Sequence, residues 1–198
     1  MMLKTIKQED KANFLLDKGI EVLWSKGYNG TSVNDIVKAA DVPKGSFYFY
    51  FDSKEDFAAQ AIDRYFKIIT AHGFEILENT KEPSALKRLT DFFILKCEII
   101  KEQHSCTGCM ACNVTAEMAE HSEVIRVTVV KNETEFKNRI ITVFEEAQQK
   151  GEIDSKLDSN DTISFIEDSW KGAMLSSKST QDYYAIDNVL KFTLRLLR

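Results

Sequence analysis

Three of the four cysteines in the 198-residue chain fall in the run His104-Ser105-Cys106-Thr107-Gly108-Cys109-Met110-Ala111-Cys112, and the fourth, Cys97, lies just before it. Thiolates are nucleophiles and soft metal ligands, so this run admits more than one chemistry. A helix beginning near Gly108 puts Cys109 and Cys112 on one face as i and i+3 neighbours. Cys106 then lies just before the helix N-terminus, where the positive end of the dipole lowers a thiol pKa and raises reactivity. The Cys-x2-Cys-x2-Cys spacing also suits a soft metal, with His104 or Cys97 as a fourth ligand. The plainest reading is that the cysteines are small buried hydrophobes. The expectation taken forward is sensing of electrophiles or oxidants at Cys106, Cys109 and Cys112, with no resident metal or cofactor. His72, His104 and His121 are scattered and read first as ordinary surface or core residues.

A second group of residues suits binding rather than catalysis. In Lys44-Gly45-Ser46-Phe47-Tyr48-Phe49-Tyr50-Phe51, five consecutive aromatics point all round a helix axis, so part of the aromatic surface must be exposed. An exposed aromatic run normally marks a contact surface. Tyrosine combines a flat apolar body with a hydroxyl that reaches phosphate oxygens. The same surface could instead dock a protein. No nucleophile–base pair, Gly-rich phosphate loop or His-Glu-x-x-His pattern points to an enzyme. A helical enzyme or metal/thiol protein built on residues 104–112 is the alternative from another class.

These groups need elements to position them, and the composition points to helices. With 43% hydrophobic residues, 2 prolines and 8 glycines, the chain has enough apolar surface for a core and too few breakers for the turns of an all-β fold. Helical periodicity runs over residues 7–26, with Gly27 as its left-handed stop. Thr31 and Ser32 offer caps to a short helix ending near Ala40, and Asp41-Val42-Pro43 breaks it. The next helix spans residues 44–51, and Ser53 caps a long one over 54–78 with Asp56 as a short capping-box partner. Further helices are expected at 84–103, 109–119, 123–150, 161–177 and 181–197. The reading is therefore an all-α chain of about nine helices. Residues 1–53 are expected to form a helix-turn-helix domain and residues 54–198 a helical bundle. The boundary lies at the start of the long fourth helix, which couples the two parts.

Charge gives no help. The net charge is −5, and residues 1–55 hold eight lysines against eight Asp plus Glu. The low positive charge predicts few phosphate contacts per chain. Charges every two or three positions at the start leave no room for a secretory signal, and no window approaches a membrane span. Clustered rather than dispersed cysteines agree with the reducing cytoplasm.

The stretch from Gly27 to Phe57 is the most specific. Gly27-Tyr28, Thr31-Ser32-Val33, Asp35-Ile36, Ala39-Ala40, Val42, Lys44-Gly45-Ser46-Phe47-Tyr48, Tyr50-Phe51 and Ser53-Lys54-Glu55 together resemble the N-terminal signature of the TetR family of transcriptional regulators. The match is nearly continuous over roughly residues 10–57, and the rest of the chain matches in length and helix order. The resemblance implies a repressor released from DNA by an inducer, without enzymatic activity, and makes residues 54–198 its ligand-sensing and dimerisation domain. It places Lys44, Gly45, Ser46 and Tyr48 in the major groove and Thr31, Ser32, Tyr48, Tyr50 and Lys54 at phosphates. Asn34 takes a position that contacts bases in some relatives, and Phe47 and Phe51 belong to the core.

The resemblance further implies a homodimer through the last two helices, with Phe165, Ser169, Gly172, Ala173, Ser176, Leu190, Thr193 and Leu197 at the interface, and hence a palindromic operator in double-stranded DNA. A small-molecule pocket would draw on Phe66, Phe92, Met110, Phe136 and Trp170, each of which is also an ordinary core candidate. Gly108-Cys109, Asn113 and Ala116-Glu117 resemble a segment of a subgroup that includes electrophile-responsive repressors, which also allows Cys109 a packing role.

Overall fold

The computed structural model describes residues 2–102 and 106–198, with side chains described from residue 10 onward. His104, the candidate fourth metal ligand, lies outside the described residues. Among them the chain forms nine α-helices and no strand: α1 Met2–Lys26, α2 Val33–Ala39, α3 Lys44–Tyr50, α4 Lys54–Leu77, α5 Ala85–Glu102, α6 Met110–Met118, α7 Glu123–Gln149, α8 Ser159–Thr180 and α9 Tyr184–Leu196. No helix among the described residues is long and apolar enough to cross a membrane.

Local chemistry sets the helix ends. Gly27 leaves α1 at φ 72° and Asp41 leaves α2 at φ 51°, the left-handed conformation that Gly adopts without strain and Asp tolerates. Ser32 and Asp35 close a reciprocal capping box at the start of α2: the Ser32 hydroxyl accepts from the Asp35 amide, and the Asp35 carboxylate accepts from the Ser32 amide. Hydrogen bonds from Lys26 and from Ser32 hold the Asp35 carboxyl well below the usual carboxylate range. Ser53 accepts from the Asp56 amide, but the Asp56 carboxylate reaches the amide of Asp52 rather than that of Ser53. Helix α8 starts earlier than the expected residue 161 because Asp158 is its cap. It also runs on to Thr180, where Gln181 takes the left-handed conformation at φ 58°. Nothing in a Gln marks such a stop beforehand.

The chain divides into two compact units, Met1–Ile68 with Cys109–Asn132, and Ile69–Gly108 with Glu133–Arg198. In the first, the rings of Phe47, Phe51 and Phe57 lie within 4.9–5.4 Å of one another. A Cβ on Gly19 would meet the Phe57 ring at 2.1 Å, so α1 and α4 approach closely only because residue 19 has no side chain. Burial of each such ring contributes about 1.5–3 kcal/mol, which anchors the short α3 against the longer helices. Asp17 binds Arg64 through both carboxylate oxygens, joining α1 to α4.

The second unit has its own core, with Leu89, Phe93, Phe144, Ile163 and Trp170 at its centre. Trp170 stacks on Phe93 with ring centroids 6.4 Å apart. Two charged pairs are sunk into this unit. Arg88 donates to the carbonyl of Leu77 and pairs with Glu146, while Lys96 pairs with both carboxylate oxygens of Glu167.

Candidate nucleic-acid interface and thiol cluster

Helix α3 is held by its inner face and presents its outer one. Phe47 and Phe51 are fully buried, whereas Tyr48 is 57% and Phe49 65% exposed. Lys44 and Gly45 are exposed on the first turn, and Ser46 and Tyr50 are half-buried. Around the position that a Cβ would take on Gly45 there is no atom within 4 Å. The chain's own packing therefore does not require glycine there, and the open space leaves room for an external surface to approach. Asn34 and Lys38 are exposed on α2. The result is a short helix with a basic N-terminal residue, a missing side chain and two standing aromatics, on a rigid base.

Two of the expected phosphate contacts are internal instead. Thr31 is buried, and its hydroxyl donates to the carbonyl of Gly27 at 2.6 Å, so it closes the turn before α2 and offers no surface. The ammonium of Lys54 donates to the carbonyls of Tyr28 and Thr31 at 2.8 and 2.7 Å and lies 4.1 Å over the Tyr28 ring. Burial lowers the Lys54 pKa, against the opposing charge of Glu117. Lys54 thus ties α4 to the turn instead of reaching outward. Ser32 is exposed, but its hydroxyl already caps α2.

A residue absent from the expected site holds the same turn from the other side. The Glu117 carboxylate on α6 accepts from the amides of Tyr28 and Asn29 at 3.1 and 2.7 Å. A Cβ on Gly27 would meet that carboxylate at 2.2 Å. Just before α7, the hydroxyl of Ser122 donates to Glu55 of α4. An acid 88 residues from its partner leaves no spacing signal in the sequence, so this clamp is not legible there.

The cysteines fall into two sets. Cys97 and Cys106 belong to the second unit, and Cys109 and Cys112 to the first. Cys97 is buried, which pushes its thiol pKa up. The Cys106 thiol lies 3.9 Å from the carbonyl of Asp182. Cys109 is the N-cap of α6, and the Tyr65 hydroxyl of α4 donates to its sulfur at 3.5 Å. A hydrogen bond from Cys112, together with the amides of the first turn and Tyr65, draws the Cys109 pKa down to about 6, although no side-chain cap hydrogen bond closes at Cys109. Among the described residues no three His, Cys, Asp or Glu side chains gather as a metal-ligand set.

Of the expected pocket residues, Phe66 and Met110 lie in the first unit and Phe92, Phe136 and Trp170 in the second. Met110 and Trp170 are fully buried and Phe92 nearly so, as core residues are. In the second unit Phe92 packs on Phe136, and Lys96 lies 5.2 Å over the Phe136 ring and 5.1 Å over that of Trp170. The indole N–H of Trp170 is buried without a hydrogen-bond partner among the described residues.

The expected interface residues divide likewise. Phe165, Gly172 and Ser176 are exposed, and Ser169 and Leu190 half-buried. Ala173, Thr193 and Leu197 are buried within the chain itself and present nothing to a second copy. Helical spacing locates the apolar stripe on these helices but not the side of it that faces inward. Phe192, on the apolar stripe of the last helix, is 60% exposed, and the exposed apolar residues missed there are Leu175 at 66% and Tyr184 at 74%.

Comparison with known proteins settles the lineage. Residues 15–61 match the family model for bacterial regulatory proteins of the tetR family, and residues 85–193 match the one for the tetracyclin repressor-like C-terminal domain. The chain belongs to the TetR family. Among TetR relatives, it is 31% identical over 176 residues to the transcriptional repressor DhaR of Mycobacterium sp. strain GP1, covering 89% of this chain and 86% of that one. It is 33% identical to the transcriptional regulator AcuR of Cereibacter sphaeroides, covering 83% and 74% of the two chains. Among solved structures, a regulatory protein TetR from Rhodobacter sphaeroides superposes with a TM-score of 0.83 at 28% identity, over 93% of this chain and 97% of the other. The TetR family model covers the segment in which α2 and α3 carry the exposed surface described above.

Proposed function

We propose that the protein is a transcriptional repressor that binds a palindromic operator as a homodimer and lets go when an inducer or a thiol modification acts on its helical bundle. The observation that carries this reading is the outer face of α3, where Lys44, Gly45, Tyr48 and Phe49 stand clear of a helix pinned by Phe47 and Phe51. A seven-residue helix displayed in this way suits the major groove, where a lysine reads guanine and a missing side chain lets backbone approach base edges. Asn34, Ser46 and Tyr50 complete the DNA-facing set, with Tyr48 and Tyr50 placed to reach phosphates. The description of the relative DhaR as a repressor supports the direction of control.

The dimer reading rests on α8 and α9. Phe165 and Leu175 on α8 and Phe192 on α9 are large apolar side chains more than half exposed. A methyl group added at Gly172, between Phe165 and Leu175, would meet no atom within 4 Å, so the chain does not need glycine there for its own packing. A glycine inside a helix costs about 1 kcal/mol relative to alanine, and close approach of a second α8 is a use for it. One chain of net charge −5 binds DNA weakly, and pairing doubles the contacts. The proposed compartment is the cytoplasm, which keeps the thiols reduced.

Within the first unit, α6 offers a route from a signal to the DNA-facing helices. Its first turn carries Cys109 and Cys112, and Glu117 further along grips the amides of the turn that leads into α2. A change that shifts α6 loosens that grip and with it the aim of α2 and α3. The test is to mix purified protein with sheared genomic DNA of its source, recover the bound fragments and sequence them. Enrichment of a short palindrome that is lost with Tyr48→Ala supports the reading. Failure to enrich any sequence, under reducing conditions and at low salt, contradicts it.

A further inference from the structure

Two thiols and a phenol meet at the start of α6. Cys109 is the N-cap residue, in extended conformation at φ −88° and ψ 128°. Cys112 sits three residues on, in the first turn, and its thiol hydrogen-bonds to the Cys109 sulfur. From α4 the Tyr65 hydroxyl adds a donor at 3.5 Å. As whole residues both cysteines are half-buried.

We propose that Cys109 and Cys112 form a dithiol oxidation site, which a hydroperoxide converts to a disulfide across the first turn of α6. The two residues have different roles. Cys109 is stabilised as a thiolate by the Cys112 thiol and the Tyr65 hydroxyl, at the positive end of the helix. It is therefore the attacking sulfur. Cys112, whose thiol donates to the Cys109 sulfur, is the resolving residue. In the first step the Cys109 thiolate attacks one oxygen of the hydroperoxide. The S–O bond forms, the O–O bond breaks, and the other oxygen leaves as an alcohol, or as water from hydrogen peroxide, after taking a proton. In the second step Cys112 gives up its proton and attacks the sulfenic sulfur of Cys109. The S–S bond forms, the S–O bond breaks, and water leaves. The thiols lose two electrons in total, and the peroxide gains them.

The site is joined to the turn before α2. Glu117 lies eight residues along from Cys109, about 12 Å at a helical rise, and holds the Tyr28 and Asn29 amides. Oxidation removes the thiolate that Tyr65 donates to, so the contact between α4 and the start of α6 loses its charged partner. As a means of operator release, this consequence rests on the repressor reading above; the dithiol chemistry does not.

The experiment treats the reduced full-length protein with a small excess of hydrogen peroxide, blocks remaining thiols, and maps the linkages by fragmentation mass spectrometry. The expected product has lost two hydrogens and links Cys109 to Cys112. Cys106→Ser still forms it. Cys112→Ser, checked for its helical signal and melting, stops at a sulfenic acid on Cys109 that a carbon nucleophile such as dimedone traps. Tyr65→Phe slows the first step about three-fold. A bond from Cys109 to Cys106 or Cys97 overturns the proposal, as does oxidation of the other cysteines with Cys109 intact. Operator binding of the reduced protein is measured separately, so loss of that binding and loss of the dithiol reaction are told apart.

Discussion

At Gly45 the packing of the chain and the demand of a partner point in different directions. A methyl group there meets nothing within 4 Å, and alanine is the better helix residue by about 0.5–1 kcal/mol. Gly45→Ala is therefore expected to leave the melting temperature unchanged or slightly higher while weakening operator binding about ten-fold. A titration of labelled DNA beside a thermal melt checks both halves. Cys109 gives a second residue-scale expectation, in pH. Its pKa is lowered from about 9 to about 6 by Cys112, the helix start and Tyr65, and only the thiolate reacts. Alkylation of Cys109 should rise through pH 6 and be nearly complete in rate by pH 8, while buried Cys97 lags to higher pH. The sign extends to stability: a depressed acid pKa stabilises the fold above the unfolded value, and that contribution fades as pH falls from about 9 through about 6. A flat stability between those pH values in wild type, matching Cys109→Ser, would show that the thiolate is not held this way.

At the scale of elements, the turn before α2 is where the packing information lies. Lys54 from α4 and Glu117 from α6 both hold backbone atoms of residues 28–31. Removing the carboxylate with Glu117→Ala leaves two amides without their acceptor, at a cost of about 1–3 kcal/mol. Urea unfolding should show that loss, and hydrogen exchange should quicken at Tyr28 and Asn29. Unchanged exchange there would mean the clamp does not order the turn. The helices themselves are legible in the sequence because most of their punctuation is local: Gly27, the Ser32–Asp35 box and Asp41 all act within a few residues. The long-range uses of polar groups are not. Thr31 and Lys54 look like phosphate ligands by type and position, yet the fold turns both inward. Only the packing of α4 against the turn reveals that.

Across the whole molecule, the aromatic run of α3 announces exposed aromatic surface from sequence alone, because five rings cannot all be buried on one short helix, and Tyr48 and Phe49 stand exposed. The apolar stripe of α8 and α9 marks an interface less well. Ala173, Thr193 and Leu197 belong to the chain's own core, and spacing alone cannot say which side of a broad stripe faces inward. The outward set of Phe165, Leu175 and Phe192 carries the dimer expectation. Phe165→Glu with Leu175→Glu should yield a folded monomer at micromolar concentration, read by sedimentation velocity. Operator affinity should fall by about a hundred-fold or more, because two linked half-sites become separate ones. A dimer that survives both charges would place the interface elsewhere. Whether two copies of α3 read DNA together is decided by footprinting the enriched operator fragment while counting chains per duplex. Two protected patches are expected, centred about one helical turn apart, roughly 10–10.5 base pairs or a multiple of it, with an even number of chains bound and both patches lost in Tyr48→Ala. A single patch held by one chain, or a footprint untouched by Tyr48→Ala, would show that paired α3 helices do not read this DNA.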